Sequence, residues 1–204
     1  MKSKVVVLAS GGFDSSVMLY FLIKKELTVY PLFVNYGQPY YAQEKQAIQK
    51  ICKYLRLNLE EVEVSNISQL NLSDKNGFFP CRNAYLLLLG TIYASKIRAN
   101  LLSMGIIKPT ATEAYPDTSK SFLQDMQKVI DNSVKSKIKL FLPFINLSKN
   151  EILVFAYKNK FPFELTYSCY KGKAKPCGKC AGCRGRLDAF KLLKIQTLEQ
   201  LKKS

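Results

Sequence analysis

Short apolar runs alternate with longer amphipathic stretches along most of this chain. The run VVVLA at residues 5–9 is uninterrupted, as in a strand that is buried on both faces. Between residues 41 and 55, apolar side chains instead recur at helical spacing and form one stripe: Ala47, Ile48, Ile51 and Leu55. This alternation predicts strands and helices that follow one another.

The elements predicted in this way form a regular series. Strands are expected at Lys4–Leu8, Thr28–Asn35, Leu59–Val64 and Asn100–Met104. Helices are expected at Ser15–Lys25, Tyr41–Leu55, Arg82–Arg98, Thr118–Val134, Ser148–Asn159 and Arg184–Lys202. Such a series predicts an α/β fold with a doubly wound parallel sheet. The stretch Ser65–Pro80, which contains Asn, Ser and Gly, is expected to be the most mobile loop.

The excess of basic over acidic residues indicates which kinds of partner the chain attracts. The 204 residues include 31 Lys and Arg against 15 Asp and Glu, a net charge of +16. A surface of this kind attracts phosphates, whether of ATP or of nucleic acid. The lysines are scattered, however, which also fits an ordinary solvated surface, so a nucleic-acid partner is left open but not expected. The chain contains no histidine, which excludes histidine bases, triads and metal ligands.

Length and hydropathy indicate the cellular setting. A chain of 204 residues is long enough to bury a core without disulfides. No stretch approaches the ~20 apolar residues of a membrane span. The first apolar run ends at a Ser-Gly-Gly turn, unlike the apolar region of a signal peptide. We therefore expect a cytoplasmic protein with no membrane partner.

The segment SGGFDSS at residues 10–16 follows the first predicted strand directly. Backbone N–H groups at a helix start lack intrahelical partners and lie at the positive end of the helix dipole. Glycines let this backbone approach an anion, and serines add hydroxyl donors. The segment therefore predicts a phosphate-binding loop, against the simpler alternative of a tight strand-to-helix connection. It is not a Walker A loop, because no Gly-Lys-Ser/Thr follows.

Four cysteines lie close together near the end of the chain. Cys169, Cys177, Cys180 and Cys183 include two overlapping C-x2-C steps. Four thiolates at this spacing suit a tetrahedral zinc ion, and a closed shell of four makes such a site structural. An iron–sulfur cluster is the alternative. Disulfides are not expected in a cytosolic chain, and Cys52 and Cys81 are expected to be ordinary cysteines.

The motifs at the two ends identify a family resemblance. SGGFDSS resembles the loop of the PP-loop ATPases, which cleave ATP between the α- and β-phosphates. Together with TYSCY at 166–170 and CGKCAGCRGRLDAF at 177–190, it resembles the QueC family of 7-cyano-7-deazaguanine synthases. Further similar segments are FVNYGQ at 33–38, FPCRN at 79–83, YPD at 115–117 and LSKNEI at 147–152.

The resemblance implies an architecture and an activity. It implies a Rossmann-like PP-loop ATP-binding domain at 1–165 and a zinc-binding helical segment at 166–204, packed together as one unit. It implies an adenylate-forming carbon–nitrogen ligase that converts ATP to AMP and pyrophosphate. The implied substrates are 7-carboxy-7-deazaguanine and ammonia, and the product is the nitrile. ATP, Mg²⁺ and Zn²⁺ are the implied cofactors, and we expect a homodimer.

The resemblance also assigns roles to individual residues. The implied catalytic residues are Asp14, Ser15, Arg82 and Lys149. The implied ATP-binding residues are Leu8, Ala9, Ser10, Gly11, Gly12, Phe13, Asp14, Ser15 and Ser16. The implied substrate-binding residues are Tyr36, Gln38, Arg82, Asn83, Tyr115 and Asp117, and the implied metal ligands are the four clustered cysteines. Ordinary roles remain open, namely surface charge for Arg82 and Lys149, and helix-start positions for Asp14, Asn83 and Asp117.

Some segments depart from the family pattern. Asn35 stands where the family commonly has Asp, and Pro39-Tyr40 stands where it has Arg-His. The segment 111–118 also differs, with Glu113 as its acidic residue ahead of Tyr115. These departures leave open a related adenylating enzyme with another acceptor, such as a protein terminus or a modified nucleic acid. The net charge of +16 also leaves open a tRNA-thiolating PP-loop enzyme, although only Cys52 and Cys81 are spare for that chemistry. A zinc-dependent nucleic-acid binder without activity would leave the phosphate loop unexplained.

Overall fold

A computed structural model describes residues 2–64, 79–108, 115–173 and 175–192 of the chain. Within these residues, five strands form one parallel sheet: β1 (Lys4–Leu8), β2 (Thr28–Asn35), β3 (Glu60–Glu63), β4 (Leu101–Met104) and β5 (Lys139–Leu140). The helices are α1 (Phe13–Lys24), α2 (Tyr41–Leu55), α3 (Arg82–Ile97), α4 (Lys120–Ser133), α5 (Lys149–Lys158) and α6 (Ala181–Leu192). Two short 3-10 helices lie at Pro116–Thr118 and Phe163–Leu165.

The strand order β3-β2-β1-β4-β5 places β1 at the centre of the sheet. Val6 of β1 lies beside Tyr30 of β2 on one side and Leu102 of β4 on the other. The chain therefore winds outward from β1 in both directions, which confirms the predicted doubly wound parallel sheet. In such sheets, ligands bind where the strand order reverses, at the carboxyl ends of the central strands.

Both faces of β1 are covered, as its uninterrupted apolar sequence predicts. Val5 and Val7 belong to one core layer, together with Met18 and Leu22 of α1. Val6 and Leu8 belong to the opposite layer, which includes side chains of α3 and α4 such as Leu87, Ala94 and Ile130. Because both layers exclude water, the end of β1 is held rigidly for the loop that follows.

Helix α6 packs onto the α/β part of the chain. The Phe190 ring meets that of Phe163 edge-on, with centroids 5.4 Å apart. The buried guanidinium of Arg186 donates to the Phe163 carbonyl at 2.7 Å and to the Thr166 hydroxyl. Ala189 and Phe190 belong to the same core as α1. The described C-terminal residues thus share a core with the sheet.

The boundaries differ from the predictions at a few points. Helix α1 begins at Phe13 instead of Ser15, and α6 begins at Ala181 instead of Arg184. Helix α4 begins after Ser119, whose hydroxyl accepts a hydrogen bond from the Phe122 N–H and caps the helix. Strand β5 was not predicted, since a two-residue strand carries no alternation. Most of the predicted loop Ser65–Pro80 and the predicted helix beyond Leu192 lie outside the described residues.

No helix among the described residues combines the length and the apolar character needed to cross a membrane.

Gly182 and Gly185 are a matched pair for testing the packing of α6. A Cβ at Gly182 would overlap the backbone oxygen of Ser168, whereas a Cβ at Gly185 would meet nothing within 4 Å. We expect Gly182→Ala to lower the free energy of unfolding by about 3 kcal/mol and the melting temperature by about 6–12 °C. Gly185→Ala should leave stability unchanged or raise it by about 1 kcal/mol. Equal melting temperatures for the two variants, measured by circular dichroism, would contradict the close approach.

Candidate active site

A cleft of about 860 Å³ opens beside the carboxyl ends of β1 and β2. Its wall comes from distant parts of the chain: the loop after β1, the turn before α2, the start of α3, the residues after β4, the start of α5 and the segment around Cys169. The cleft therefore lies where the strand order reverses, as expected for a ligand site in this type of sheet.

The loop after β1 depends on two glycines that allow close backbone contacts. Gly11 has φ +75°, and a Cβ there would lie 2.7 Å from the Glu44 carbonyl oxygen and the Ile48 nitrogen of α2. A Cβ at Gly105, after β4, would lie 2.9 Å from the Ser15 nitrogen. Larger residues at either position would displace the loop.

Helix α1 presents its N-terminus to the cleft. The Gly12 N–H donates to the Ser10 hydroxyl and the Ser10 N–H donates to the Ser15 hydroxyl, both at 3.2 Å. In the described part of the chain, no side chain caps α1. Its first N–H groups are therefore available to an anion.

Most of the predicted ATP-binding residues line this cleft, namely Leu8, Ala9, Ser10, Gly12, Phe13, Asp14 and Ser15. Gly11 and Ser16 do not line it. Gly11 faces α2, and Ser16 is fully buried, with a hydroxyl that has no hydrogen-bond partner in the part of the chain that the structure describes. These two residues support the loop from behind.

An ion pair spans the cleft beside the loop. The Lys149 ammonium lies 2.8 Å from Asp14 Oδ2 and 5.3 Å from the centre of the Phe13 ring. A capping box of Ser148 and Glu151 fixes the start of α5 and so places Lys149. The other oxygen, Asp14 Oδ1, is buried and has no hydrogen-bond partner among the described residues. An unpartnered carboxylate oxygen beside a phosphate loop fits a magnesium ligand.

Arg82 and a group of tyrosines form another wall of the cleft. Arg82 is the first residue of α3, and it lines the cleft with Tyr36, Tyr40 and Tyr170. The rings of Tyr40 and Tyr170 lie 5.7 Å apart. Burial raises the pKa of Tyr36 and of Tyr40, so both phenols remain neutral near pH 7. This wall offers one fixed positive charge among neutral aromatic groups, and Tyr115 also lines it.

Asn83 and Asp117, both predicted to bind substrate, bind each other. The Asn83 backbone N–H donates to Asp117 Oδ2 at 3.1 Å, and the Asn83 side chain donates to the Asp117 carbonyl at 3.0 Å. Both residues are buried. Asn83 lines the cleft, but Asp117 does not. Asp117 lies at the start of the short helix Pro116–Thr118, the ordinary position that the sequence left open, but its side chain caps α3, a contact that the sequence did not predict.

Glu44 is a cleft residue that the sequence motifs did not identify. Its carboxylate accepts a hydrogen bond from Gln38 Nε2 at 3.2 Å, and Gln38 Oε1 accepts one from the Tyr36 N–H at 3.0 Å. Burial raises the pKa of Glu44 to about 8, although Gln38 and Arg82 favour its charged form. The signal in the sequence was position: Glu44 lies one turn before Ile48, on the buried stripe of α2.

The four predicted cysteine ligands meet in one cluster. The sulfur atoms of Cys169, Cys177, Cys180 and Cys183 all lie within 4.8 Å of one another. The N–H groups of Lys171 and Cys177 donate to Cys169 Sγ. The N–H groups of Lys179 and Cys180 lower the pKa of Cys177 to about 6. Such donors favour thiolates, so the cluster could hold a metal ion.

The cysteine segment also forms part of the cleft. The Tyr167 N–H donates to the Gly11 carbonyl at 2.9 Å, which joins the segment to the phosphate loop. Gly172, with φ +60°, packs against the backbone of Pro39. Cys169 and Tyr170 line the cleft directly. The cysteine cluster and the cleft are therefore neighbours that share a wall.

Comparison with known proteins identifies the relatives of this chain. A family model described as "Queuosine biosynthesis protein QueC" matches residues 4–75 and 72–194. The chain is 32% identical to 7-cyano-7-deazaguanine synthase 1 of Desulfitobacterium hafniense, over 100% of this chain and 98% of that protein. It is 30% identical to the 7-cyano-7-deazaguanine synthase of Methanobrevibacter smithii, over 96% of each.

Solved structures share the fold at lower identity. The U34-tRNA thiolase NcsA from Methanococcus maripaludis, solved with its [4Fe-4S] cluster, matches with a TM-score of 0.57 and 21% identity, over 98% of this chain and 68% of that one. An NMN synthetase from Francisella tularensis matches with a TM-score of 0.56 and 15% identity, over 98% and 82%. A 4-thiouridine synthetase, solved with RNA and bound ATP, matches with a TM-score of 0.53 and 16% identity, over 99% and 54%. These likenesses confirm the PP-loop type of fold.

The cap provided by Asp117 can be tested by stability alone. Asp117→Ala leaves the buried Asn83 N–H without its acceptor, so we expect a loss of about 2 kcal/mol in the free energy of unfolding. Asp125→Ala, which removes an exposed carboxylate on α4, should change it by less than about 0.5 kcal/mol. Chemical denaturation measures both. A loss no larger than that of the control would contradict the capping role.

The cysteine cluster can be tested by metal content. We expect Cys180→Ser to abolish stoichiometric metal binding and to reduce solubility, because three thiolates leave the shell incomplete. Cys81→Ser, which changes an exposed cysteine outside the cluster, should retain the metal. Elemental analysis of the purified variants provides the measurement. Full metal content in Cys180→Ser would show that the cluster is not the binding site.

Proposed function

The chain belongs to the QueC family, and from this premise we propose that it converts 7-carboxy-7-deazaguanine and ammonia into the nitrile 7-cyano-7-deazaguanine, with ATP as co-substrate. Its full-length relatives are named 7-cyano-7-deazaguanine synthase, which favours an enzyme of queuosine biosynthesis. The observation that carries the proposal is one cleft that combines a phosphate loop, an Asp14–Lys149 pair and an arginine wall.

The proposed reaction begins with adenylation of the substrate carboxylate. A carboxylate oxygen attacks the α-phosphorus of ATP and displaces pyrophosphate. The AMP group is then attached to the carbonyl carbon through that oxygen. Ammonia then displaces AMP and gives the amide. The amide oxygen is adenylated by a second ATP, and loss of this second AMP leaves the nitrile. The enzyme is thus a carbon–nitrogen ligase that forms AMP and pyrophosphate.

The residues of the cleft have distinct parts in this scheme. The N–H groups at the start of α1 and the Ser10 and Ser15 hydroxyls hold the departing phosphates. Lys149 neutralises phosphate charge, and Asp14 would hold Mg²⁺, which lowers the cost of charge developing on pyrophosphate. Arg82 holds the substrate carboxylate beside the α-phosphorus.

The scheme requires no nucleophile from the protein. It asks the protein to position two substrates and to stabilise charge in a water-poor cleft. A chain without histidine can meet those requirements, whereas it has no histidine to act as the base of a hydrolase.

We propose that the cysteine cluster binds one zinc ion with a structural role. A tetrahedral zinc with bonds of about 2.3 Å separates its sulfurs by about 3.8 Å, and Cys177 Sγ lies 3.9 Å from Cys183 Sγ. A four-iron cluster lies between its thiolates and would hold them further apart. The spacing therefore favours a single ion over the iron–sulfur alternative, and elemental analysis should find zinc without iron.

The proposed unit of action is the whole chain. The Tyr167–Gly11 hydrogen bond supports a model in which residues 1–165 and 166–204 act together. We also propose a homodimer, because Leu88 and Ile92 lie one turn apart on α3 and are both exposed. In a sedimentation experiment, the parent chain should behave as a dimer and the Ile92→Lys variant as a monomer. That result would support the proposed assembly.

The proposed activity is tested by one incubation. Purified protein with ATP, Mg²⁺, ammonium and 7-carboxy-7-deazaguanine should yield AMP, pyrophosphate and the nitrile, measured by mass spectrometry. Absence of AMP with this substrate would sink the proposal. AMP formation with a protein or nucleic-acid acceptor instead would support the related enzyme with another acceptor.

The arginine wall can be tested in the same assay. Arg82→Ala removes the charge that holds the carboxylate, so we expect kcat/KM to fall by about 10²–10³-fold. Arg98→Ala, at the exposed C-terminal end of α3, should retain activity. Zinc content should be unchanged in both variants. Full activity of Arg82→Ala would show that the carboxylate is held elsewhere.

A further inference from the structure

Three carboxylates line the cleft in the described part of the chain: Asp14, Glu44 and Asp188. Asp14 is paired with Lys149 at 2.8 Å, and Asp188 is exposed and lies 3.5 Å from Lys191. Glu44 has no such lysine, and the hydrogen bond to its carboxylate comes from the neutral amide of Gln38. Glu44 is therefore the carboxylate of the three that is free to exchange protons.

The position of Glu44 is fixed by its contacts with the phosphate loop. Its backbone carbonyl lies against Gly11, and it lines the cleft near enough to Arg82 and Tyr40 to interact electrostatically with both. Gln38, itself buried, holds one oxygen of the carboxylate. Glu44 thus contacts the loop proposed to hold the phosphates, and its carboxylate lies near enough to interact with the charge of Arg82, the arginine proposed to hold the substrate carboxylate.

The proposed reaction needs a base at this point, and few residues can provide it. The substrate nitrogen must lose its protons before a nitrile can form. The chain has no histidine. Lys149 is ion-paired, and burial makes Tyr36 and Tyr40 harder to ionise. Cys169 belongs to the proposed metal site.

We propose that Glu44 is the base that removes the last proton from the substrate nitrogen during nitrile formation, an inference that rests on the function proposed above. The adenylated amide first loses one N–H proton to solvent and becomes a neutral imidate. Glu44 then takes the remaining N–H proton. The electrons of that bond become the third carbon–nitrogen bond, and the carbon–oxygen bond breaks with its electron pair leaving on AMP. The products are the nitrile, AMP and protonated Glu44.

The environment of Glu44 suits this role. Burial raises its pKa to about 8, while the facing Arg82 and Gln38 favour the carboxylate. The facing phenols of Tyr36 and Tyr40 are neutral at this pH. The ionised fraction of Glu44 therefore rises between about pH 7 and pH 9, and the rate of a step that needs the carboxylate should rise with it.

The test starts from the amide intermediate, so that the titration of ammonium does not enter. With ATP, Mg²⁺ and 7-amido-7-deazaguanine, the parent protein should form nitrile at a rate that rises with pH to a plateau, with a midpoint near 8. Glu44→Gln should lower this rate by at least about 100-fold and remove the pH dependence. Glu44→Asp should restore part of the rate together with the dependence. Glu61→Gln, which changes a carboxylate salt-bridged to Lys45 of α2, should behave like the parent.

A second readout separates the base from a structural role. Exchange of labelled pyrophosphate into ATP, dependent on 7-carboxy-7-deazaguanine, reports the first adenylation alone and should persist in Glu44→Gln. Loss of this exchange in Glu44→Gln, or an unchanged rate and pH profile of nitrile formation, would overturn the assignment of Glu44. Loss of the exchange in the parent protein would instead contradict the proposed function itself.

Discussion

The Gly11–Gly12 turn is the point on which the rest of the site depends. A positive φ at Gly11 and the lack of a side chain let its backbone lie against Glu44 and Ile48 of α2. Its carbonyl accepts the Tyr167 N–H from the cysteine segment. The loop that offers N–H groups to phosphate is thus held by α2 on one side and by the cysteine segment on the other. A metal bound to the cysteines would stabilise the cleft through this contact.

The charges of the cleft divide it into two parts. The α1 N-terminus and Lys149 make one part positive, and Asp14, which pairs with Lys149, carries the carboxylate there that is proposed to hold a cation. Arg82 makes the second part positive, among neutral tyrosines and the weakly acidic Glu44. Two positive regions meeting at one point suit a reaction in which two anions, a carboxylate and a triphosphate, must approach each other. The net charge of +16 assists the same approach from outside.

The parallel sheet and the motifs of the cleft could be predicted from the sequence, because short local stretches of the chain carry both signals. Uninterrupted apolar runs indicate buried strands. The glycine-serine loop indicates a phosphate-binding site, and the cysteine spacing indicates a metal site. Contacts between segments that are distant in the chain could not be predicted from such local patterns. Asp117 and Asn83 are each predicted as substrate contacts. Their mutual pairing instead depends on how the 3-10 helix Pro116–Thr118 packs against α3. Glu44 lies on the buried stripe of α2 in the sequence, but its place in the cleft depends on the packing of Gly11 against that helix.

In the proposed reaction, the substrate oxygen is activated by transfer of AMP within this cleft. The most direct test uses 7-carboxy-7-deazaguanine labelled with ¹⁸O in both carboxylate oxygens, turned over in unlabelled water with ATP and ammonium. Each carboxylate oxygen should leave bonded to an α-phosphorus, so we expect one ¹⁸O atom in every AMP formed. Unlabelled AMP, with the ¹⁸O recovered in water or in pyrophosphate, would contradict the proposed reaction.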